Sequence, residues 1–168
     1  TETAGDMIDA KGGDDVIGFF SFAGFLPQLN GAKVDGGAGT DTLVFQYDQK
    51  GNVLDLVNQA NNAGMFRGST FTNIERFVVG DDFATGFGEL TFKGDDTAQD
   101  LEVRIGILSV DLGGGDDTLR LAVASTNGNA NVAEGGAGID RLVFNAAATG
   151  NLLDLQSQTG NLPFLGWK

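Results

Sequence analysis

The chain has 168 residues, with 23 acidic against 10 basic side chains, 27 Gly, 2 Pro, and neither Cys nor His. A net charge of −13 argues against nucleic acid and anionic lipid as partners. The lack of Cys and His excludes disulfides, thiolate and Ser-His-Asp catalysis, and the usual zinc sites. No apolar run reaches the ~18 residues of a membrane span, and 41% hydrophobic residues predict a folded chain.

The acidic residues are mostly aspartate, with 18 Asp and 5 Glu along the sequence. Asp beside Gly is typical of tight turns and of cation sites built from oxygen ligands. A compact chain with this charge repels itself unless cations bind to it. Divalent metal ions are therefore the expected partners.

The first elements repeat at a spacing of nine residues, which separates Asp6 from Asp15 and Ile8 from Ile17. Nine residues are enough for one turn and one short strand. The uncharged residues 16–32, which contain four Phe, form either a local core and end cap or a contact patch for a partner.

Residues 36–45, GGAGTDTLVF, place a glycine-rich turn before a β-branched and aromatic segment, which predicts a strand. Residues 57–69 predict a loop or one short helix. Residues 72–75 fit a helix capping box, but the following residues 76–79, RFVV, favour a strand, and we predict the strand.

The sequence contains a long duplication. Residues 36–56 match residues 135–155 at 13 of 21 positions without a gap. We predict two units, residues 1–100 and residues 101–168, the second incomplete at its C-terminal end, as in a piece of a longer array. Short strands between Gly-Asp turns predict an all-β fold, a parallel β-solenoid of the β-roll or β-helix kind, whose coils stack on one another.

The turns share the pattern Gly-Gly-x-Gly-x-Asp-x-apolar-x. Residues 36–44 and 135–143 match it fully, residues 112–120 lack the first Gly, and residues 10–18 lack the first two. This pattern resembles the RTX, or hemolysin-type, calcium-binding repeat. The resemblance implies that each ion lies between turns one coil apart, with an Asp from each turn.

The residue types suit that chemistry. Glycine allows φ > 0 and lets carbonyl oxygens face a common point, and Ca²⁺ takes six to eight oxygen ligands. We predict two calcium sites, Asp15 with Asp41 and Asp117 with Asp140. The further candidate ligands are turn carbonyls and one more acidic residue: Gly13, Gly37, Gly39, Gly115, Gly136, Gly138 and Asp6. The alternative is a plain turn in which the Asp only caps backbone N–H groups.

Other carboxylates carry weaker signals. Asp55 and Asp154 alternate with leucines, which predicts solvent-facing strand positions. The turns at Asp81-Asp82 and Asp95-Asp96 lack the glycine run, so both the plain turn and the ion site stand as alternatives there.

The resemblance implies an extracellular, calcium-ordered module of a larger secreted or surface protein, structural or adhesive, with no catalysis of its own. Family members leave Gram-negative bacteria by type I secretion and fold in calcium-rich medium. One alternative is a self-assembling surface-layer or filament subunit that contacts copies of itself. Another is a calcium-dependent carbohydrate-binding module of a secreted enzyme, with cell-surface polysaccharide as ligand.

Overall fold

The computed structural model describes residues 5–20, 29–46, 51–80, 89–104, 107–121 and 132–144. These ranges contain thirteen strands and two single-turn 3-10 helices. The strands are β1 (Met7–Asp9), β2 (Val16–Phe19), β3 (Lys33–Asp35), β4 (Thr42–Phe45), β5 (Asn52–Asp55), β6 (Thr70–Thr72), β7 (Arg76–Val79), β8 (Glu89–Lys93), β9 (Asp100–Val103), β10 (Ile107–Asp111), β11 (Thr118–Leu121), β12 (Val132–Glu134) and β13 (Arg141–Phe144). The 3-10 helices are Gln59–Asn61 and Gly64–Phe66.

The strands form three sheets. A three-stranded sheet has the order β1-β3-β6, a four-stranded sheet β12-β10-β8-β5, and a six-stranded sheet β13-β11-β9-β7-β4-β2. Every strand pairing among them is parallel. Along the chain, each strand of the six-stranded sheet follows a strand of one of the two smaller sheets, and only β5 and β6, from different smaller sheets, are consecutive among the described strands. The prediction of an all-β fold is confirmed.

The core follows from the period of two along each strand. In β4, Leu43 and Phe45 are fully buried, while Thr42 and Val44, which alternate with them, are half-buried. Parallel register places Leu43 beside Phe77 of β7, so the buried apolar side chains at equivalent strand positions stack on one another from strand to strand. Phe66 closes this core against Phe45, edge to face with ring centroids 4.9 Å apart.

The other face of the six-stranded sheet carries ion pairs between neighbouring strands. Arg76 Nη2 lies 2.7 Å from Glu102 Oε2, and Arg120 Nε lies 2.8 Å from Asp100 Oδ1. Both ion pairs are diagonal, since Arg76 lies directly opposite Asp100 and Arg120 directly opposite Glu102, and diagonal neighbours are within reach of long side chains. These arginines therefore neutralise carboxylates of the sheet face.

The connection between β5 and β6 holds both 3-10 helices, where the sequence predicts a loop or one short helix. Met65 and Phe66 in the second helix are buried, so this segment completes the core. Residues 76–79 form β7, as predicted.

The prediction that Asp55 faces solvent is wrong. Its side chain is 2% exposed, because the connection after β5 folds over it. Asp55 Oδ1 accepts the Asn58 N–H at 2.8 Å and Oδ2 accepts Asn61 Nδ2 at 2.8 Å. Burial raises the pKa of Asp55, but these two hydrogen bonds and the charge of Lys93 outweigh it and hold the pKa below its usual value.

Asp55→Ala is expected to lower the free energy of unfolding by about 2 to 3 kcal/mol, because the Asn58 N–H and the Asn61 amide lose their acceptor. Thermal or urea unfolding measures the change. Glu134→Ala removes an exposed carboxylate and is the control, with a change within about 0.5 kcal/mol. An equal, small effect of both substitutions would contradict the capping role of Asp55.

Several predicted features lie in part outside the described residues. In the Phe-rich segment, Phe19 packs against the core and Phe20 is 57% exposed. Phe22, Phe25, Asp81-Asp82 and Asp154 fall outside the described ranges.

Candidate functional site

Six turns lead into the six strands of the six-stranded sheet and lie side by side in one stack. They are residues 10–15, 36–41, 73–75, 94–99, 112–117 and 135–140. Backbone hydrogen bonds join neighbours: Gly13 N donates to the Ala38 carbonyl at 2.8 Å, and Gly115 N to the Ala137 carbonyl at 2.9 Å. The duplicated sequence therefore builds two pairs of turns with equivalent backbone contacts.

The last residue of each turn stands directly before a strand of the six-stranded sheet. The strand registers place these residues side by side in the order Asp15, Asp41, Glu75, Gln99, Asp117, Asp140. We call this row the pre-strand column. Neighbouring strands are ~4.8 Å apart, so side chains in the column can share a ligand. The four aspartates of the two predicted calcium sites belong to it, whereas Asp6, the fifth candidate aspartate, does not.

The first pair of turns is tied together by its carboxylates. Asp41 Oδ1 accepts the Asp15 N–H at 2.9 Å, and Asp14 Oδ1 accepts the Thr40 N–H at 2.8 Å. Each turn thus offers one carboxylate oxygen to the backbone of the other. Asp15 and Asp41, 26 residues apart in sequence, meet as predicted.

The second pair repeats this arrangement. Asp140 Oδ1 accepts the Asp117 N–H at 3.2 Å, and Asp116 Oδ1 accepts the Ile139 N–H at 2.9 Å. Asp117 and Asp140 therefore meet across neighbouring turns in the same way as the first pair.

The second carboxylate oxygen of each of these four aspartates has no hydrogen-bond partner. The Oδ2 atoms of Asp15, Asp41, Asp117 and Asp140 are all buried and unpaired among the described residues. None of the four carboxylates takes part in an ion pair within the described chain. Leaving a buried polar atom unpaired costs about 1 to 3 kcal/mol, and more when it is charged.

The electrostatics of the second pair are unfavourable for an ionised carboxylate. Burial raises the pKa of Asp117 to about 6, and the negative charges of Asp140, Asp95 and Asp116 act in the same direction. The hydrogen bond from the Gln99 N–H opposes them only partly. A cation at this place would remove the repulsion.

The glycines of the turns permit the close stacking. The six predicted glycines have positive φ, between 95° and 146°: Gly13, Gly37, Gly39, Gly115, Gly136 and Gly138. A Cβ at Gly39 would collide with the carbonyl of Gly13, and one at Gly138 with the carbonyl of Gly115. The turn carbonyls therefore lie against the neighbouring turn, where they can serve as ligands.

Two other sequence candidates differ from this arrangement. Asp6 is exposed and lies before β1, at the opposite end of that strand from turn 10–15, and its carbonyl accepts the Lys33 N–H at 2.8 Å. Asp95 Oδ1 accepts the Thr97 N–H at 2.8 Å and the Gln99 amide at 2.5 Å, the pattern of a capping Asp in a plain turn.

Sequence reasoning missed Glu75 and Gln99, because turns 73–75 and 94–99 lack the glycine run. Glu75 Oε2 accepts the Asp41 N–H at 2.8 Å, and Gln99 is 3% exposed. The sequence signal that could have identified Glu75 and Gln99 was their position, because each stands immediately before a predicted strand or a β-branched segment.

The donor set suits a hard cation. In the described residues, no group of three or more His, Cys, Asp or Glu side chains is arranged to hold a metal ion. Each pair of turns instead brings together two carboxylates, with carbonyl oxygens close by. Ca²⁺ accepts such a mixture of carboxylate and carbonyl ligands, and the unpaired Oδ2 atoms fit this role.

Within the described ranges, neither helix has the length or apolar character needed to cross a membrane. Comparison of the chain with protein-family models, curated proteins and solved structures gave no match.

Proposed function

We propose that this chain is an RTX-like calcium-binding β-solenoid module whose coils are ordered by Ca²⁺. The observation that carries the proposal is the set of four buried, unpaired Oδ2 atoms at Asp15, Asp41, Asp117 and Asp140. They lie in the two stacked turn pairs that the duplicated sequence produces. A protein without a bound cation would have no compensation for burying them.

The strand topology supports the solenoid. The chain adds each new strand beside the previous one in the same sheet, always in parallel, and the turns stack with it. One coil consists of a strand of a smaller sheet, a turn, and a strand of the six-stranded sheet. The connection between β5 and β6 is an insertion in the third coil.

The ions would be held by Asp15 with Asp41 and by Asp117 with Asp140, together with turn carbonyls such as those of Gly13 and Gly115. A bound divalent cation supplies positive charge between the coils. The chain itself supplies oxygen ligands and close stacking through its glycines. Because this site is absent from the unfolded chain, the binding energy becomes folding energy.

We propose in addition a structural or adhesive role in a larger secreted or surface protein. The net charge of −13 makes the cation-free chain repel itself, and millimolar extracellular calcium would relieve that repulsion. We therefore propose an extracellular module that gains its order after export and has no catalytic activity of its own.

Calcium is expected to raise the β-sheet signal of this chain cooperatively, because cation binding and coil stacking are coupled. Far-UV circular dichroism during a calcium titration measures it, with magnesium as the control ion and a chelator to reverse the change. Full β-sheet signal in chelator, together with no calcium heat in calorimetry, would overturn the proposal.

A further inference from the structure

Gln99 occupies the position in its turn that Asp41 occupies in turn 36–41. Asp41 folds back over the first residue of its own turn, so that a Cβ at Gly36 would lie 2.7 Å from Asp41 Oδ2 and against the carbonyl of Asn73 in the next turn. Gln99 does the same: a Cβ at Gly94 would lie against both Gln99 Oε1 and the Leu112 carbonyl. Two oxygens thus converge on one point in each case.

The orientation of the Gln99 amide is fixed by its neighbours. One terminal atom lies 2.5 Å from Asp95 Oδ1 and 3.0 Å from Thr97 Oγ1. A carboxylate only accepts hydrogen bonds, so this atom is the nitrogen. The other atom, Oε1, is therefore the one directed towards the Leu112 carbonyl.

Both converging oxygens lack a donor. Gln99 is 3% exposed and its Oε1 has no hydrogen-bond partner, while no hydrogen bond to the Leu112 carbonyl occurs among the described residues. Two buried acceptors facing one another repel unless a donor or a cation lies between them. Asp117 adds a carboxylate, because its Oδ1 accepts the Gln99 N–H at 2.7 Å and its Oδ2 is also buried and unpaired.

We propose that Gln99, Asp117 and the Leu112 carbonyl form a further divalent-cation site, between turns 94–99 and 112–117. This site rests on the proposed calcium-binding function, shares Asp117 with the second motif site, and has as its other turn residues 94–99, which lack the Gly-Gly-x-Gly-x-Asp motif. Its ligands are an amide oxygen, a carbonyl oxygen and a carboxylate, all hard oxygen donors suited to Ca²⁺. With one carboxylate instead of two, it binds calcium more weakly than the two motif sites.

The test counts ions bound to the full 168-residue chain, by native mass spectrometry and calcium calorimetry. Gln99→Leu is expected to bind one calcium fewer than the wild type. Gln99→Glu combined with Asp95→Asn is expected to keep that ion and to tighten its dissociation constant by about tenfold, because a second carboxylate faces the ion while an amide at position 95 replaces the carboxylate that would repel it. Gln59→Leu is the matched control, since Gln59 bonds the Phe71 backbone outside the column, and it keeps the wild-type count.

The outcomes separate this site from the proposed function. An unchanged ion count in Gln99→Leu, with calcium still bound to the wild type, overturns the Gln99 site alone. Unchanged affinity in the double variant, Gln99→Glu with Asp95→Asn, overturns it as well, and does so even if the leucine variant fails to fold. A wild-type chain that binds no calcium overturns the proposed function together with this site.

Discussion

Asp117→Asn is expected to weaken calcium binding at the site proposed for the second turn pair by at least about tenfold, and to make the calcium-free chain more stable at pH 7. The substitution keeps the shape of the side chain and the acceptor for the Gln99 N–H. It removes the negative charge of a side chain that is only 1% exposed and that lies near Asp140 and Asp116. The same charge that strengthens cation binding destabilises the fold when no cation is bound.

The pH dependence of the calcium-free chain follows from the same carboxylate. Since folding raises the pKa of Asp117 from 3.8 to about 6, the folded state holds its proton where the unfolded state loses it. The ionised Asp117 carboxylate therefore lowers the free energy of unfolding by on the order of 3 kcal/mol above pH ~6. Below pH ~4 this unfavourable contribution is absent. We expect calcium-free stability to fall across this window in the wild type and to stay flatter in Asp117→Asn.

Urea unfolding in chelator and in calcium, at pH 4.5 and pH 7, measures both effects. Asp111→Asn is the control, because it removes one charge from an exposed strand position. The control changes neither the calcium affinity nor the pH profile appreciably. If Asp117→Asn destabilised the calcium-free chain at pH 7, the carboxylate would be a capping group of an ordinary turn, and the cation site would lose its main support.

The turn chemistry was predictable from sequence because it is local. A glycine at φ > 0 and an Asp at a fixed spacing determine the shape of a turn within six residues, so Asp15, Asp41, Asp117 and Asp140 could be selected from the pattern alone. Their pairing was predicted from the resemblance to the RTX repeat, which implies that each ion lies between turns one coil apart, with an Asp from each turn. The structure brings together both predicted pairs.

What the sequence did not reveal depends on contacts between distant segments. Asp55 alternates with leucines and reads as an exposed position, yet the connection to β6 folds back and buries it. Gln99 and Glu75 join the column only through strand register, and neither carries a glycine run to mark it. Asp6 keeps the nine-residue rhythm but lies before β1, outside the stacked turns. Register and insertions therefore decide which carboxylates meet.

Gly39→Ala is expected to destabilise the chain by about 3 kcal/mol or more and to abolish calcium binding at the site proposed for the first turn pair. Gly39 has φ of 146°, a conformation that a Cβ strains, and that Cβ would also collide with the carbonyl of Gly13 in the neighbouring turn. To avoid the collision, turns 10–15 and 36–41 must separate. Asp15 and Asp41 then no longer share a ligand.

Gly13→Ala is the matched control for this substitution. Gly13 also has positive φ, at 118°, but a Cβ there meets nothing within 4 Å. It therefore carries the backbone strain without the collision, a cost of about 1 to 2 kcal/mol. It also retains the Gly13 carbonyl, a candidate ligand, so its calcium affinity is expected to fall less than that of Gly39→Ala. Urea unfolding and calcium calorimetry of the two variants separate strain from stacking. Equal losses of stability and of calcium affinity in the two variants would mean that the glycines serve backbone conformation alone. Close stacking of the turns would then not be what brings Asp15 and Asp41 to one ion.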